Sequence, residues 1–493
     1  MTVLPDLPVR EWGIRIGGTE REPSGGGILE RTMPGHPERA VGVFRSAGPG
    51  DVDDAVRAVT RAQRAWADLR PKQRAEGLLR AASLLRARAE EVAAWECLES
   101  GMLIGLARQH ALWCVELLEF SAGLGRDLSG RTVDLGSGKL GLVIPEPVPV
   151  MAALGPWNFP LSELIWKVAP ALAAGCGVVM KPSELTPITA LLLDEVLHEA
   201  GVPEGLTAVL TGDGETGAAL AGHPGVGLVS LTGGVETGRA VLRTTAERIT
   251  PTLLELGGKS AVVVLPGADP DAAARIVAPA VAFRTGQACT CPSRVIAVGP
   301  EGRARELAGA IDAQFAKLVM GPPEMESTTL GPAVSDDQAG RVRSILARAA
   351  GDGVELLRSH DEPGADDLTP TVALGAGRSH AIVRDEVFGP VTAVLPAPTV
   401  EEALSIANES AFGLAAGVVS GGDLDTAVAL ARRLRAGTVW IDEWGTIELE
   451  LPFGGVGVSG FGRELGMEGM EAFVTWKSVH LPHRPLDRPE AGP

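Results

Sequence analysis

The spacing of apolar and polar positions divides the chain into a helical opening, a hairpin and two long alternations of strand and helix. Val52, Val56, Val59, Ala62 and Trp66 recur near helical spacing over 52–69, and Leu78, Leu79, Ala82, Leu85 and Ala89 do so over 73–96. Both stretches therefore predict amphipathic helices. Over 131–147, RTVDLGSGKLGLVIPEP alternates weakly around Gly-Ser-Gly and predicts a hairpin. A two-stranded hairpin is marginal alone, so this one requires a partner sheet, for which another subunit is a candidate source.

Beyond residue 148 the texture changes. The runs VPVMAAL (148–154), GVVM (177–180), VGLVSL (226–231) and SAVVVL (260–265) are continuously apolar rather than alternating. That is the pattern of parallel strands covered on both faces. Helical stretches at 187–200 and 236–246 separate them, and a second alternation over 270–440 has helical stretches at 301–318, 336–350 and 423–435. A chain of 493 residues exceeds one compact core, so an α/β protein of two or three domains is expected. There is no internal repeat, and only the tail, PHRPLDRPEAGP, reads as disordered.

Charge and cysteine usage narrow the function. A net charge of -18 argues against a nucleic-acid partner, which needs a positive face. Five cysteines at 97, 114, 176, 289 and 291 are odd in number and scattered, which suits reduced thiols in a cytoplasmic protein rather than a disulfide framework. The start, MTVLPDLPVREW, lacks the basic and apolar parts of a signal peptide, and Val168 to Met180 falls short of the roughly 20 apolar residues of a membrane span. Tyrosine is absent, so no phenol serves as acid, base or ligand.

Four segments carry candidate chemistry. Gly155-Pro156-Trp157-Asn158-Phe159-Pro160 follows directly on a strand, where open α/β sheets place ligands. Asn158 there is a candidate oxyanion donor, although the segment alone reads more readily as a turn. Met180-Lys181-Pro182-Ser183-Glu184 offers a cation and a carboxylate for a ribose, or simply a solvated pair. Thr232-Gly233-Gly234-Val235-Glu236-Thr237-Gly238 would let a pyrophosphate approach a helix N-terminus, but it is not the G-x-G-x-x-G fingerprint. Finally, Glu255-Leu256-Gly257-Gly258-Lys259 pairs with Gly286-Gln287-Ala288-Cys289-Thr290-Cys291. A lone cysteine is usually an inert buried hydrophobe, yet Cys289 sits among Gly, Gln and Thr rather than in an apolar stripe. Thiols suit carbonyl chemistry, and Glu255 is the distinctive candidate base. Cys291 completes no metal-ligating cluster, so no metal is expected.

Taken with Glu386-Val387-Phe388-Gly389-Pro390, Pro452-Phe453-Gly454-Gly455 and Ser459-Gly460-Phe461-Gly462-Arg463-Glu464, the ordered set resembles the aldehyde dehydrogenase superfamily over roughly residues 14 to 480. The resemblance implies a Rossmann-like cofactor domain (1–126 and 148–257), an α/β catalytic domain (258–470) and a small β oligomerisation element (127–147 and 471–493) in a homodimer or homotetramer. It implies that Cys289 adds to an aldehyde, that Asn158 and the Cys289 N–H hold the oxyanion, and that hydride passes to a nicotinamide. Glu255 then activates water against the thioester, with Lys167 assisting proton transfer. Trp157, Lys181, Ser183, Glu184, Gly233, Gly234, Gly238, Glu386 and Phe388 would bind the cofactor, NAD by preference with NADP admitted. Phe159, Trp166, Phe283 and Phe453 would line the tunnel for an apolar or aromatic aldehyde.

An amino- or betaine-type aldehyde is the alternative, drawn by Glu448 and Glu450 with Trp166 or Trp444. Trp166 stands where some semialdehyde-specific relatives carry Arg, which speaks against a dicarboxylic semialdehyde. Two further readings are a CoA-acylating relative, which often lacks the carboxylate at 255, and a catalytically silent binding protein. Departures from the family pattern are Gly234, Asp442, Gly457 and Arg284, where Ser, Asn, Lys and Asn are usual. Arg284 is expected to support its loop.

Overall fold

The computed structural model describes residues 4, 5, 7, 9–360 and 368–482. The proline-rich tail after residue 482 lies outside them.

The opening helix, Pro49–Ala67, starts on a proline and buries Val52, Val56, Val59 and Trp66, the stripe that its period predicts. The single helix expected over 73–96 is instead two, Pro71–Ala87 and Ala89–Ser100. They are separated at Arg88, whose φ of -102° and ψ of 13° leave the helical range. Apolar positions continue on the inner side across the break, so periodicity alone does not reveal it. Nor does periodicity announce Ile104–Asp127, whose stripe is interrupted by His110 and Trp113 because that face lines a cavity.

Four sheets organise the rest of the described residues. The largest has eight strands in the order Gly460–Phe461, Thr252–Glu255, Leu228–Thr232, Val150–Leu154, Gly177–Lys181, Thr207–Val209, Ile14–Ile16, Thr19–Arg21. Its five central strands are parallel and its edges antiparallel. The four continuously apolar runs all become strands, including Ala261–Val264, which begins a second sheet of seven strands. That sheet runs Glu355–Leu357, Thr371–Leu374, Val391–Ala397, Arg294–Val298, Ala261–Val264, Ala415–Val419, Thr438–Ile441. Residues 256–260 cross between the two sheets. Gly460–Phe461, expected with the second sheet, returns to pair with Leu254 and Glu255 and so closes over the crossing.

The predicted hairpin is present as Arg131–Gly136 and Lys139–Pro147. Its partner comes from its own chain: Val474–Pro482 pairs antiparallel along the full length of Lys139–Pro147. A third strand meets the stability requirement without a second subunit. Val133, Leu135, Ile144, Trp476 and Leu481 of this sheet stay exposed. Among the described residues, no helix is long and apolar enough to cross a membrane.

Arg294 ties the crossing to the second sheet. Its buried guanidinium donates to the carbonyls of Lys259, Ile406 and Ala407, each at 2.9 Å. Replacing it leaves three buried acceptors unpaired, at a cost of about 1–3 kcal/mol each. Arg294→Met should therefore lower the thermal midpoint by roughly 5 °C or more in scanning calorimetry; an unchanged midpoint would remove Arg294 from this role.

Candidate active site

Two hollows meet at Cys289. A groove of about 630 Å³ runs along the C-terminal ends of the first sheet's strands, and a tunnel of about 840 Å³ approaches from the other side; Cys289 lines both. Groove walls include Trp157, Lys181, Ser183, Glu184, Gly233, Gly234, Glu386 and Phe388, and Asn158 and Glu255 line the same groove as Cys289. The tunnel is walled by Phe159, Trp166, Phe283 and Phe453, joined by His110 and Trp113. Phe159 stacks between His110 and Phe283, with ring centroids 5.0 and 5.8 Å away. Opposite them Trp166 meets Trp113 and Phe453 edge to face, at 5.6 and 5.2 Å.

Some expected residues lie elsewhere. Gly238 does not line the groove; it is buried, and a Cβ there would press on the Leu256 side chain at 2.7 Å. Lys167 lines neither hollow and is fully buried. Glu448 and Glu450 are exposed and outside the tunnel, which Glu116, Glu163 and Glu443 line instead. Trp444 does line it.

The loop before the thiol is bent by three successive left-handed residues: Arg284, Thr285 and Gly286 have φ of 53°, 57° and 70°. Each non-glycine residue there costs of order 1 kcal/mol, so the surroundings must over-determine the bend. They do. Arg284 Nε donates to the Asn158 carbonyl at 2.9 Å and Nη2 to that of Ser100 at 2.7 Å. Thr285 Oγ1 donates to Gly331 O at 3.1 Å, and Gln287 Oε1 accepts from Val334 N at 2.9 Å. Asn158 Nδ2 in turn donates to Gln287 O at 3.1 Å. Carboxamide and thiol thus share one hydrogen-bonded frame, and Arg284 supports it.

The electrostatics are dominated by buried carboxylates. Burial, then Glu163, Glu255 and Glu386, push the Cys289 thiol well above its ordinary range. Burial and Glu464 raise Glu255 likewise, against the pull of Lys167, and its Oε2 is sealed without a partner. Lys167 Nζ donates to Thr232 Oγ1 and Glu464 Oε1, both at 2.6 Å, and Thr232 Oγ1 donates to Glu163 Oε2 at 3.3 Å. Glu386 accepts from Gly258 N at 2.8 Å, and a Cβ on Gly257 would overlap that carboxylate. Phe388, at φ 57°, accepts from Gln338 Nε2 at 2.7 Å and sets its ring edge-on to Trp157. Lys181 and Glu184 pair at 3.6 Å on the groove wall.

The departures have local explanations. Gly457 is left-handed at φ 65°, and a Cβ there would strike the Ala411 carbonyl. Asp442 accepts from Ser420 N at 2.7 Å and Ser420 Oγ at 2.6 Å. At Gly234 a Cβ would meet nothing within 4 Å, so a serine would fit. Glu163, His110 and Trp113 escape the sequence reading, and Thr232 enters it only as the first residue of the glycine-rich segment. Only Glu163 leaves a signal, an acid four residues before Lys167 in an otherwise apolar helix, Pro160–Ala174.

The aldehyde dehydrogenase family model matches residues 23–479. A solved NAD-dependent aldehyde dehydrogenase from Sinorhizobium meliloti is 36% identical, with a TM-score of 0.92 over 98% of this chain and 96% of its own. An indole-3-acetaldehyde dehydrogenase from P. syringae, in complex with NAD+ and IAA, is 32% identical at TM-score 0.93 over 97% of each chain. A betaine aldehyde dehydrogenase from Staphylococcus aureus, in complex with NAD+, is 30% identical at 0.92 over 96% of this chain and 95% of its own.

Because Arg284 holds the frame through two carbonyls, Arg284→Met should loosen the thiol loop. We expect a thermal midpoint lower by a few degrees, with alkylation of Cys289 by iodoacetamide faster in the variant. Equal alkylation rates would show that the loop keeps its shape without the guanidinium.

Proposed function

The chain belongs to the aldehyde dehydrogenase family, and from that membership and the geometry we propose that it oxidises an aldehyde with an apolar or aromatic body to the carboxylic acid, using NAD. The observation that carries this reading is Cys289 at the junction of groove and tunnel, with Asn158 and Glu255 lining the groove it shares. The groove suits a dinucleotide. Gly233 and Gly234 leave the start of helix Val235–Ala246 bare for a pyrophosphate, and Gly257 leaves room for Glu386. Trp157, Lys181, Ser183, Glu184, Gly233, Gly234, Glu386 and Phe388 would hold the cofactor. Glu184 disfavours a 2′-phosphate by like-charge repulsion, which supports NAD over NADP. When bound, the nicotinamide supplies the hydride acceptor.

The protein's own groups do the rest. The Cys289 thiol gives its proton to solvent, the thiolate sulfur adds to the carbonyl carbon, and negative charge develops on the carbonyl oxygen. The Asn158 carboxamide and the Cys289 N–H stabilise that charge. Once the carbon is oxidised, a thioester remains on Cys289. Glu255 takes a proton from water, the resulting hydroxide attacks the thioester, and the acid leaves with the thiol regenerated. Lys167 acts through Thr232, Glu464 and the field it sets on Glu255, and is a positioning residue. The carboxylate at 255 favours hydrolysis over transfer to CoA.

The division into 1–126 with 148–257, 258–470, and 127–147 with 471–493 is kept as the domain reading, amended by Gly460–Phe461. Exposed Val133, Leu135, Ile144 and Trp476 support assembly of two or four copies through the three-stranded sheet.

Losing one oxyanion donor costs about 100- to 1000-fold in rate. Asn158→Ala should therefore lose that much kcat while still binding NAD, as read by fluorescence titration; near-normal turnover would refute the assignment. Glu255 must be ionised to act as base, and its pKa is raised, so turnover should climb as pH rises through its folded-state value. Glu255→Gln should remove that limb and leave a single burst of NADH. A variant with an unchanged pH profile would exclude Glu255 as the base.

A further inference from the structure

Two buried carboxylates that the reaction above does not use stand on one helix. Ala89–Ser100 is enclosed at every residue from Val92 to Ser100. Glu96 and Glu99 lie in that stretch, 1% and 0% exposed. Burial pushes the first up to about 7 and the second up to about 8, and Glu96 raises Glu99 further. Apolar side chains of similar volume would pack such a helix at lower cost. Stability alone does not account for the pair.

Each carboxylate caps a different helix. Glu96 Oε1 accepts from Leu161 N at 3.2 Å, in the first turn of Pro160–Ala174. Glu99 Oε2 accepts from Ile188 N at 2.8 Å, and its Oε1 from Thr189 N and Oγ1 at 3.2 and 3.0 Å, at the start of Ile188–Glu199. The N-cap residues there, Phe159 and Pro187, supply no side-chain cap of their own. First-turn N–H groups need an acceptor, and a negative charge suits that end of a helix.

Both capped helices follow loops of the groove. Asn158 stands just before the first, and Lys181, Ser183 and Glu184 stand just before the second. An arginine completes each arm. Arg284 joins the Ser100 carbonyl to that of Asn158, at 2.7 and 2.9 Å. Arg31 joins the Glu99 carbonyl to that of Leu185, at 3.4 and 3.0 Å. Each loop is therefore held at two points, through a helix start and through a loop carbonyl, by the end of the same helix. Glu96 Oε2, sealed without a partner, feels the charge of Arg284.

We propose that the end of helix Ala89–Ser100 is a two-armed positioning element, resting on the roles given above to Asn158 and the groove. Glu96, with Arg284, holds the Asn158 carboxamide on its aim at the carbonyl oxygen. Glu99, with Arg31, sets the loop of Lys181 and Glu184 for the dinucleotide. Neither carboxylate lines the groove or the tunnel, so each acts through the backbone it grips.

Two quantities on the full-length enzyme test this. Fluorescence titration gives the Kd for NAD and counts binding sites; single turnover with hexanal at saturating NAD gives the rate of NADH formation per site. Glu96→Ala should slow that rate by roughly 10- to 100-fold, the scale of a group displaced by about 1 Å, and lose far less NAD affinity. Glu99→Ala should raise the Kd by about 10-fold, as for a lost hydrogen bond to a charged group, and lose far less rate. Glu96→Gln and Glu99→Gln keep an oxygen for the N–H donors and should recover most of each loss. If the alanine variants do not fold, the glutamine variants should show the same opposition at smaller amplitude. Both positions losing the same quantity, or losing the two in equal proportion, overturns the proposal. So does Glu96→Gln that performs no better than Glu96→Ala. A wild-type enzyme that forms no NADH from hexanal or phenylacetaldehyde contradicts the dehydrogenase reading instead, and the NAD titrations still decide the Glu99 arm.

Discussion

A cysteine surrounded by buried carboxylates does not ionise readily, so the structure depends on what fixes Cys289 in place. The decisive constraint is the frame before it. Arg284 binds the Asn158 carbonyl, Asn158 Nδ2 binds the Gln287 carbonyl, and Gln287 is anchored on Val334. Three left-handed residues in succession are tolerated because each end of the bend is tied to another element. The pinned bend ties the backbone just before the thiol to the Asn158 carboxamide, the kind of preorganisation that electrostatic catalysis requires.

Around that frame the fold brings distant segments together. One sheet delivers Glu255 as the last residue of a strand and Asn158 from the loop after another, and the helix Pro160–Ala174 delivers Glu163 and Lys167 from one face. The crossing 256–260 sets Gly257 and Gly258 against Glu386 and Cys289, where any side chain would intrude. The strand Gly460–Phe461 then closes on Glu255, and Glu464 just beyond it reaches Lys167. Charge, backbone freedom and strand pairing therefore converge on one point from five separate stretches of chain.

Much of this was legible in the residues. Continuous apolar runs identified the buried parallel strands, and the motif order gave the family. What escaped has physical causes. The break at Arg88 leaves the apolar period intact, so periodicity cannot see it. Helix Ile104–Asp127 turns His110 and Trp113 to a cavity, which blurs its stripe. Gly238 belongs to the glycine-rich segment yet does not line the groove, and it packs close to Leu256. Glu448 and Glu450 stand near Phe453 in sequence yet are exposed and do not line the tunnel, whereas Glu163 lines it from a segment remote from them.

The most direct test is mass spectrometry of enzyme quenched during turnover. Glu255→Gln incubated with aldehyde and NAD should carry one acyl group, mapped by proteolysis to Cys289 and lost on hydroxylamine treatment. An unmodified Cys289 peptide alongside NADH formation, or an acyl group on Cys291 instead, would contradict the account.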